Sequence, residues 1–417
     1  MKNINININM QKKFFLILII IFSISSLYLY SQPEFRWELG KYLQIKEGTS
    51  PQTIDSNLKI DQVVIGADNL TTFAFIDDSI LYLEKTTGDV KLIKNSQVQK
   101  EPVYHFDVYK ANEAGLLGIA INDNYVYLYV SEPLDEQGKI PNANNIYRFL
   151  WIDGELVDKK LVNSLPSRSC CHQGGYMVTS PDKKIFATIG DLENIRGGIP
   201  GKLQNMISEK VDDTSIIFQV EFDEDEISPM NSDDPFSHYY AIGIRNSFGL
   251  TFDPITGNMW DTENGQFCCD EINLVSPKFN SGWALAQGFV NEKTIEKIPE
   301  IEGFEYSNPE FEWKSVVAPT SLAIPGNQWG EKYKNSLFVG DYLNGIIYKF
   351  ELNDERDGFI FKDQSLQDLI LNDGDSYEEI IFGTGFGRIS DMKFGPDGSL
   401  YVASHVHNGA LFKISFK

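Results

Sequence analysis

The amino-acid sequence predicts an all-β protein: a six-bladed β-propeller behind an N-terminal signal or anchor segment. Three observations carry this expectation. Beyond about residue 56 no long stretch of apolar residues falls at helical spacing. Short runs rich in Val, Ile, Phe and Tyr recur instead, divided by Gly, Asp, Asn and Pro clusters, the pattern of many short strands. A compound unit repeats among them: a polar turn, a strand ending in aromatic or aliphatic residues, then a second strand of the type Gly-x-aliphatic-Tyr-basic-Phe. Finally, that unit occurs six times, and units too small to bury their own faces must stack on one another.

In chain order the units are DDSILYLEKTTGDVKLI from Asp77, NDNYVYLYVSE with NNIYRFLWIDG from Asn122, and SPDKKIFATIGD with SIIFQVEFDED from Ser180. They continue as DPITGNMWDTENG with DEINLVSP from Asp253, YKNSLFVGDYLNGIIYKFEL from Tyr333, and GPDGSLYVASHVHNGALFKISF from Gly395. Their starts lie 45 to 80 residues apart, so the insertions differ from unit to unit. A large β-sandwich, or two all-β domains, is the alternative arrangement of the same strands. A propeller differs in bringing loops from distant parts of the chain to one end of a central channel.

Ahead of the repeats, MKNINININMQKK carries three lysines and no acid, and residues 14 to 30, FFLILIIIFSISSLYLY, are almost wholly apolar. This reads as an export signal over 1–31, cleaved or retained as an anchor, followed by a linker at 32–55 and the propeller at 56–417. The bulk of the protein is then expected outside the cytoplasm, secreted or anchored, touching a membrane only through that segment. With 59 acidic against 36 basic side chains and a net charge of -23, the chain would be repelled by nucleic acid.

Four segments combine glycines with polar side chains at predicted strand ends: EAGLLGIAI from Glu113, CCHQGG from Cys170, YAIGIRNSFGLTFDP from Tyr240, and GFGRISDMKFGPDG from Gly385. His172 is the one histidine in such a setting, and a neutral imidazole can take a proton from an alcohol at ordinary pH. The plainer reading of it is a loop histidine that only hydrogen-bonds. Arg245 and Arg388 are flanked by apolar strand residues, where a guanidinium needs an internal acid or a planar ligand oxygen as partner. Glu263, Asp270 and Glu271 flank the loop ENGQFCCDE, whose carboxylates and carbonyls suit a hard cation such as Ca²⁺. The four cysteines form two adjacent pairs, Cys170/Cys171 and Cys268/Cys269. The expected arrangement is a pair of disulfides stapling one loop to the other; bridges between neighbours, or a thiolate metal site, are the alternatives.

Taken together, GLLGIA, HQGG with PDKKIFATIGD, IRNSFGLTFDP, CCDEINL and GRISDMKFGPDGSLYV resemble the soluble quinoprotein glucose dehydrogenases and the related glucose/sorbosone, or aldose sugar, dehydrogenases, in the same order over roughly residues 60 to 416. The resemblance implies a six-bladed propeller that oxidises the anomeric carbon of a sugar with pyrroloquinoline quinone (PQQ) and Ca²⁺, passing electrons to an acceptor the sequence does not identify. It implies that His172 is the base, that Arg245 and Asn246 hold the quinone and polarise its reactive carbonyl, and that Arg388 is a further cofactor-binding arginine. Glu113 stands where the family motif has Gln or Glu. The carbonyls of Gly265 and Gln266 match the pair that holds the catalytic calcium, and Glu271 with Ser281 a second, structural calcium.

The chain departs from the family pattern at several positions. Cys171 replaces an acid, Tyr176 the arginine after the glycines, Leu343 a lysine, Ser390 the second arginine of a GRIRD-like motif, and His405 a late aspartate. A propeller of the same ancestry that binds carbohydrate or protein without redox chemistry is therefore the competing expectation, and a calcium-dependent lactone hydrolase a third.

Overall fold

A computed structural model of the chain describes residues 50–192, 211–220, 226–301, 303–405 and 409–417. The signal or anchor segment and the linker up to residue 49 fall outside the described residues. Among those described, no helix is long and apolar enough to cross a membrane.

The described residues build an all-β, propeller-like fold of six sheets. Sheet 1 opens with Leu70–Ile76, Ser79–Glu84 and Asp89–Lys94, and sheet 2 consists of Leu116–Asn122, Tyr125–Pro133, Pro141–Ile152 and Glu155–Pro166. Sheet 3 runs Met177–Thr179, Ile185–Ile189, Ile216–Val220, Tyr239–Ile242, and sheet 4 Ser247–Phe252, Met259–Glu263, Asp270–Val275, Phe311–Trp313. Sheet 5 contains Pro319–Ala323, Ser336–Asp341, Ile347–Leu352 and Ile381–Thr384, and sheet 6 Ile389–Phe394, Leu400–Ser404 and Ala410–Phe416. The fourth strand of sheet 6 is Leu58–Val64, from the other end of the described chain, antiparallel to Ala410–Phe416. This pairing fastens a strand from early in the described chain to the last sheet with backbone hydrogen bonds and covers the edge of Ala410–Phe416.

Each repeat unit read from the sequence supplies the second and third strands of one sheet. The first strand of every sheet touches the first strand of the next, and Ile389–Phe394 returns to Leu70–Ile76. In sheets 1 and 2 short hairpins join first to second strands, and their turns pass through Asp77 (φ 48°) and Asp123 (φ 53°), left-handed positions that aspartate tolerates because its side chain bonds locally.

The core follows from strand alternation. Its six apolar clusters each lie between two neighbouring sheets: Leu81, Val90, Leu128 and Phe149 between sheets 1 and 2, for example, and Phe338, Phe382, Met392 and Val402 between sheets 5 and 6. A fully buried Leu or Phe contributes roughly 1.5–3 kcal/mol by leaving water. Cohesion is thus spread around the ring, and the loops at the strand ends are left free to carry chemistry.

Candidate functional site

Two kinds of loop gather at one end of the sheets: those that enter a first strand and those that leave a second strand. Glu113, Arg245, Asn246 and Arg388 lie on loops of the first kind, and His172 enters sheet 3 in the same way. Asp191, Gly265, Gln266, Tyr342 and His405 lie on loops of the second kind. The antiparallel order of each sheet explains this, since a chain entering at one end returns to that end after two strands.

His172 is buried and held at φ 57°, a conformation costly for a non-glycine residue and one that neighbouring contacts must sustain. Its backbone N–H donates to Glu113 Oε2 at 2.6 Å, and its carbonyl accepts from Gly190 N–H at 3.1 Å. The ring's Nδ1 is engaged by Asp191 Oδ1, and Asp191 Oδ2 accepts from Trp283 Nε1 at 2.8 Å. A carboxylate on Nδ1 selects the tautomer that keeps its proton there, leaving Nε2 with the lone pair that can accept one. The glycines of the motif serve this loop. A Cβ on Gly174 would meet Thr188 O at 2.3 Å, and one on Gly118 of the GLLGIA segment would meet Gly175 O at 1.8 Å, so the two motifs are close-packed partners. Gln173 is structural: its side chain accepts from Asn144 Nδ2 at 2.8 Å and donates to Arg168 O at 2.7 Å.

Arg245 lies beside this pair. Its carbonyl accepts from Asp191 N–H at 2.9 Å, its N–H donates to Glu263 Oε1 at 2.6 Å, and its guanidinium carbon is 5.3 Å from the centre of the Trp283 ring. Its Nη1 donates to the carbonyls of Asn264 and of Gly265, the latter at 2.9 Å. Burial draws the guanidinium below its ordinary pKa, opposed by Asp191, Glu263, Asp270 and Glu113. The Nε of Arg245 and the Oδ1 atoms of Asn246 and Asn264 are buried with no hydrogen-bond partner among the described residues. Unsatisfied buried groups of this kind are costly and suit a polar ligand that completes them. A quinone carbonyl or carboxylate oxygen can accept from the Arg245 Nε–H, and on that donor the residues present fit PQQ.

Behind Arg245 lies a set of buried carboxyls. Glu263 and Glu271 are directly paired across neighbouring strands, and Asp261 is paired with Asn273. Burial drives Glu263 up to about 7, partly offset by hydrogen bonds from Ser281 and the Arg245 backbone. Burial and then Glu263 hold Asp261 and Glu271 well above the usual carboxylate range. Ser281 Oγ donates to Glu263 Oε2 at 2.7 Å, so Ser281 and Glu271 are linked through Glu263 rather than directly. These oxygens are donors that suit calcium, although no group of three or more His, Cys, Asp or Glu side chains has metal-binding spacing among the described residues. Asp270 stands apart: its oxygens accept backbone N–H groups of Gly265 at 2.8 Å, Val317 at 2.6 Å and Ala318 at 2.7 Å, which pins the loop carrying Gly265 and Gln266.

Across the site, Arg388 lies over the Tyr342 ring at 5.3 Å, and its carbonyl accepts from His405 N–H at 2.8 Å. The His405 ring meets Tyr342 edge-on at 5.7 Å. Burial, then the charges of Lys85 and Arg388, push His405 down to about 3, so it is neutral at ordinary pH.

The expected staple between cysteine loops is not formed. Cys170 is bridged to Cys171 and Cys268 to Cys269, with Cα separations of 3.8 and 3.7 Å. Each pair belongs to a loop already packed locally, so the sulfurs meet their neighbours first. Ser169 O accepts from Tyr109 OH at 3.2 Å, and a Cβ on Gly265 would meet Cys268 O at 1.8 Å. Two of the departures from the family pattern also have structural partners: Tyr176 OH donates to Asp391 Oδ1 at 2.7 Å, and Ser390 Oγ to Leu70 O at 2.8 Å.

Sequence reasoning did not single out Asp191, Trp283, Tyr342 or Lys85. Asp191 had a signal, as an acid directly after the strand of the unit that follows His172. Lys85, in EKTTGD, looks like any solvated turn.

Known proteins resemble the chain in sequence and in fold. The chain is 26% identical over 329 residues to an aldose sugar dehydrogenase of Escherichia coli (strain K12), covering 74% of this chain and 79% of that one. It is 28% identical over 262 residues to quinoprotein glucose dehydrogenase B of Acinetobacter calcoaceticus, covering 56% and 51%. Its fold is similar to the PQQ-bound form of an aldose sugar dehydrogenase from Streptomyces coelicolor, with a TM-score of 0.61 at 19% identity over 88% of this chain and 100% of that one. Residues 68–413 match the Glucose / Sorbosone dehydrogenase family, and the chain belongs to it.

Proposed function

We propose that the protein is an exported, PQQ-dependent aldose dehydrogenase built as a six-bladed propeller, each sheet one blade. The ring of first strands and the Leu58–Val64 closure support the blade count. The observation that carries the reaction is His172, held by Asp191 through Nδ1, next to an Arg245 whose Nε is buried with no partner among the described residues.

His172 Nε2 takes the proton of the sugar's anomeric hydroxyl, and Asp191 stabilises the imidazolium so formed. Glu113 fixes the His172 backbone, and Trp283 holds both Asp191 and the face of Arg245. Arg245, Asn246 and Arg388 would hold PQQ, and the carbonyls of Gly265 and Gln266 would hold Ca²⁺, with Glu271 and Ser281 at a second calcium. Bound PQQ supplies the acceptor for the hydride that leaves the anomeric carbon. The guanidinium offers positive charge where negative charge develops on that acceptor.

The test is a titration of the purified, signal-free protein with PQQ, with and without Ca²⁺, followed by absorbance, after which aldoses are added. Saturable, calcium-dependent binding and sugar-driven reduction support the reading. No binding at micromolar PQQ overturns it in favour of a propeller that binds carbohydrate or protein without redox chemistry; hydrolysis of lactones without PQQ would point to the third expectation.

A further inference from the structure

Lys85 leaves the second strand of sheet 1 at the position that Asp191, Gly265, Tyr342 and His405 occupy on other sheets, which places it on the end of the fold that carries the site. Its backbone is fixed there: its N–H donates to Asn69 O at 3.2 Å, its carbonyl accepts from Leu116 N–H at 3.1 Å, and a Cβ on Gly115 would meet its Cγ at 2.7 Å. The ammonium donates to Asn112 O at 2.6 Å and makes no ion pair among the described residues. The acids whose charges act on it are Glu113, which accepts the His172 N–H, and Asp68, which accepts from Asn69 Nδ2 at 3.2 Å.

The field of Lys85 reaches His405, where that of Arg388 also arrives. Burial, with these two charges, keeps the imidazole neutral, and its Nδ1 is buried with no hydrogen-bond partner among the described residues. Beside it opens a cavity of 440 Å³ lined by Gly66, Ala67, Asp68, Asn69, His405 and Gly409. Asn69, whose carbonyl takes the Lys85 N–H, lines that cavity with His405, so the cations flank a place that favours an anion, and a buried imidazole nitrogen without a partner among the described residues adds a donor for it in one tautomer.

We propose that Lys85, with Arg388 and His405, forms a carboxylate-binding corner of the site that receives one carboxylate of the quinone cofactor. This rests on the PQQ-dependent reading above. It assigns to sheet 1 and sheet 6 the charge recognition that the chain lacks at Leu343 and Ser390. Lysine acts here as a point charge on a flexible stem, so an arginine can replace it in part while a neutral side chain cannot.

The experiment is PQQ affinity by absorbance at saturating Ca²⁺, for the wild-type protein and the variants Lys85→Gln, Lys85→Arg and Lys85→Met, at low and moderate salt. Loss of one charge-assisted contact is expected to weaken Lys85→Gln about 10- to 100-fold, to leave Lys85→Arg much closer to wild type, and to flatten the salt dependence. Lys85→Met keeps the stem against Gly115 and separates loss of charge from loss of fold. Wild-type binding with undiminished affinity in both neutral variants overturns the corner and leaves the dehydrogenase reading standing. No PQQ binding by the wild-type protein overturns both.

Discussion

Glu263 ties the stability of the protein to pH in a direction opposite to that of most carboxylates. Its pKa is raised by burial from an ordinary 4.5 to about 7, so the folded chain keeps a proton that the unfolded chain releases. A group of this kind favours the folded state fully below about 4.5. That contribution is lost as pH rises towards 7, because the folded state binds more protons than the unfolded one across that window. At about 1.4 kcal/mol per pH unit, a site moved this far costs roughly 2.5 kcal/mol of stability between pH 5 and pH 8. Glu263→Gln removes the titration while keeping a carbonyl oxygen to accept the Arg245 N–H. Guanidinium unfolding of the metal-free protein at pH 5 and pH 8 should therefore show a fall for the wild type that exceeds the fall for Glu263→Gln by at least about that amount, since the amide also relieves Asp261 and Glu271 of the Glu263 charge. Glu310, raised to about 8, and Asp270 and Asp341, raised to about 6, lie outside the substitution and contribute equally to both proteins. Parallel pH dependences in the two proteins would refute the argument.

Three further outcomes follow from the same contacts. Asp191→Asn places an amide where both neighbours, His172 Nδ1 and Trp283 Nε1, present protons; the histidine is driven to the tautomer protonated on Nε2, and kcat on an aldose should fall about 100-fold or more with PQQ affinity retained. An unchanged kcat would remove the base from His172. Non-reducing peptide mapping should recover Cys170–Cys171 and Cys268–Cys269 each within one peptide; a peptide joining the two loops contradicts the structure. Lys393→Met should destabilise the fold by about 3 kcal/mol in chemical denaturation, because it strips the fully buried Asp391 of its cation; a change below about 1 kcal/mol would place that charge elsewhere.

The second and third strands were legible because turn residues punctuate them and their apolar runs are long enough to show a period. First strands such as Pro319–Ala323 are buried along their whole length, so they show no alternation, and PTSLA carries too little apolar content to declare itself. His172, Arg245 and Arg388 stood out as polar groups among glycines or apolar strand residues. Lys85 and Tyr342 did not, since a basic or aromatic residue after a strand acquires meaning only when the sheets bring it beside its counterparts. Cysteine pairing was illegible for a related reason: 96 residues separate Cys171 from Cys268 and nothing in that interval says which loops touch.

The substitution at 176 shows how a departure from a family pattern can be absorbed without emptying a site. Asp391 is fully buried, and a buried carboxylate deprived of its cation is costly. In this chain Tyr176 supplies a hydrogen bond at 2.7 Å and Thr72 another at 2.6 Å, and Lys393, two residues along the same strand and so on the same face, supplies the charge. The lysine nitrogen also lies 5.1 Å from the centre of the Tyr176 ring, a cation–π arrangement that an arginine at 176 could not offer. Donor and charge, which one arginine can provide together, are here divided between a tyrosine from sheet 3 and a lysine from sheet 6. The tyrosine at 176 is therefore accounted for by Asp391 and Lys393, and the cations left for the proposed quinone are Arg245, Arg388 and Lys85.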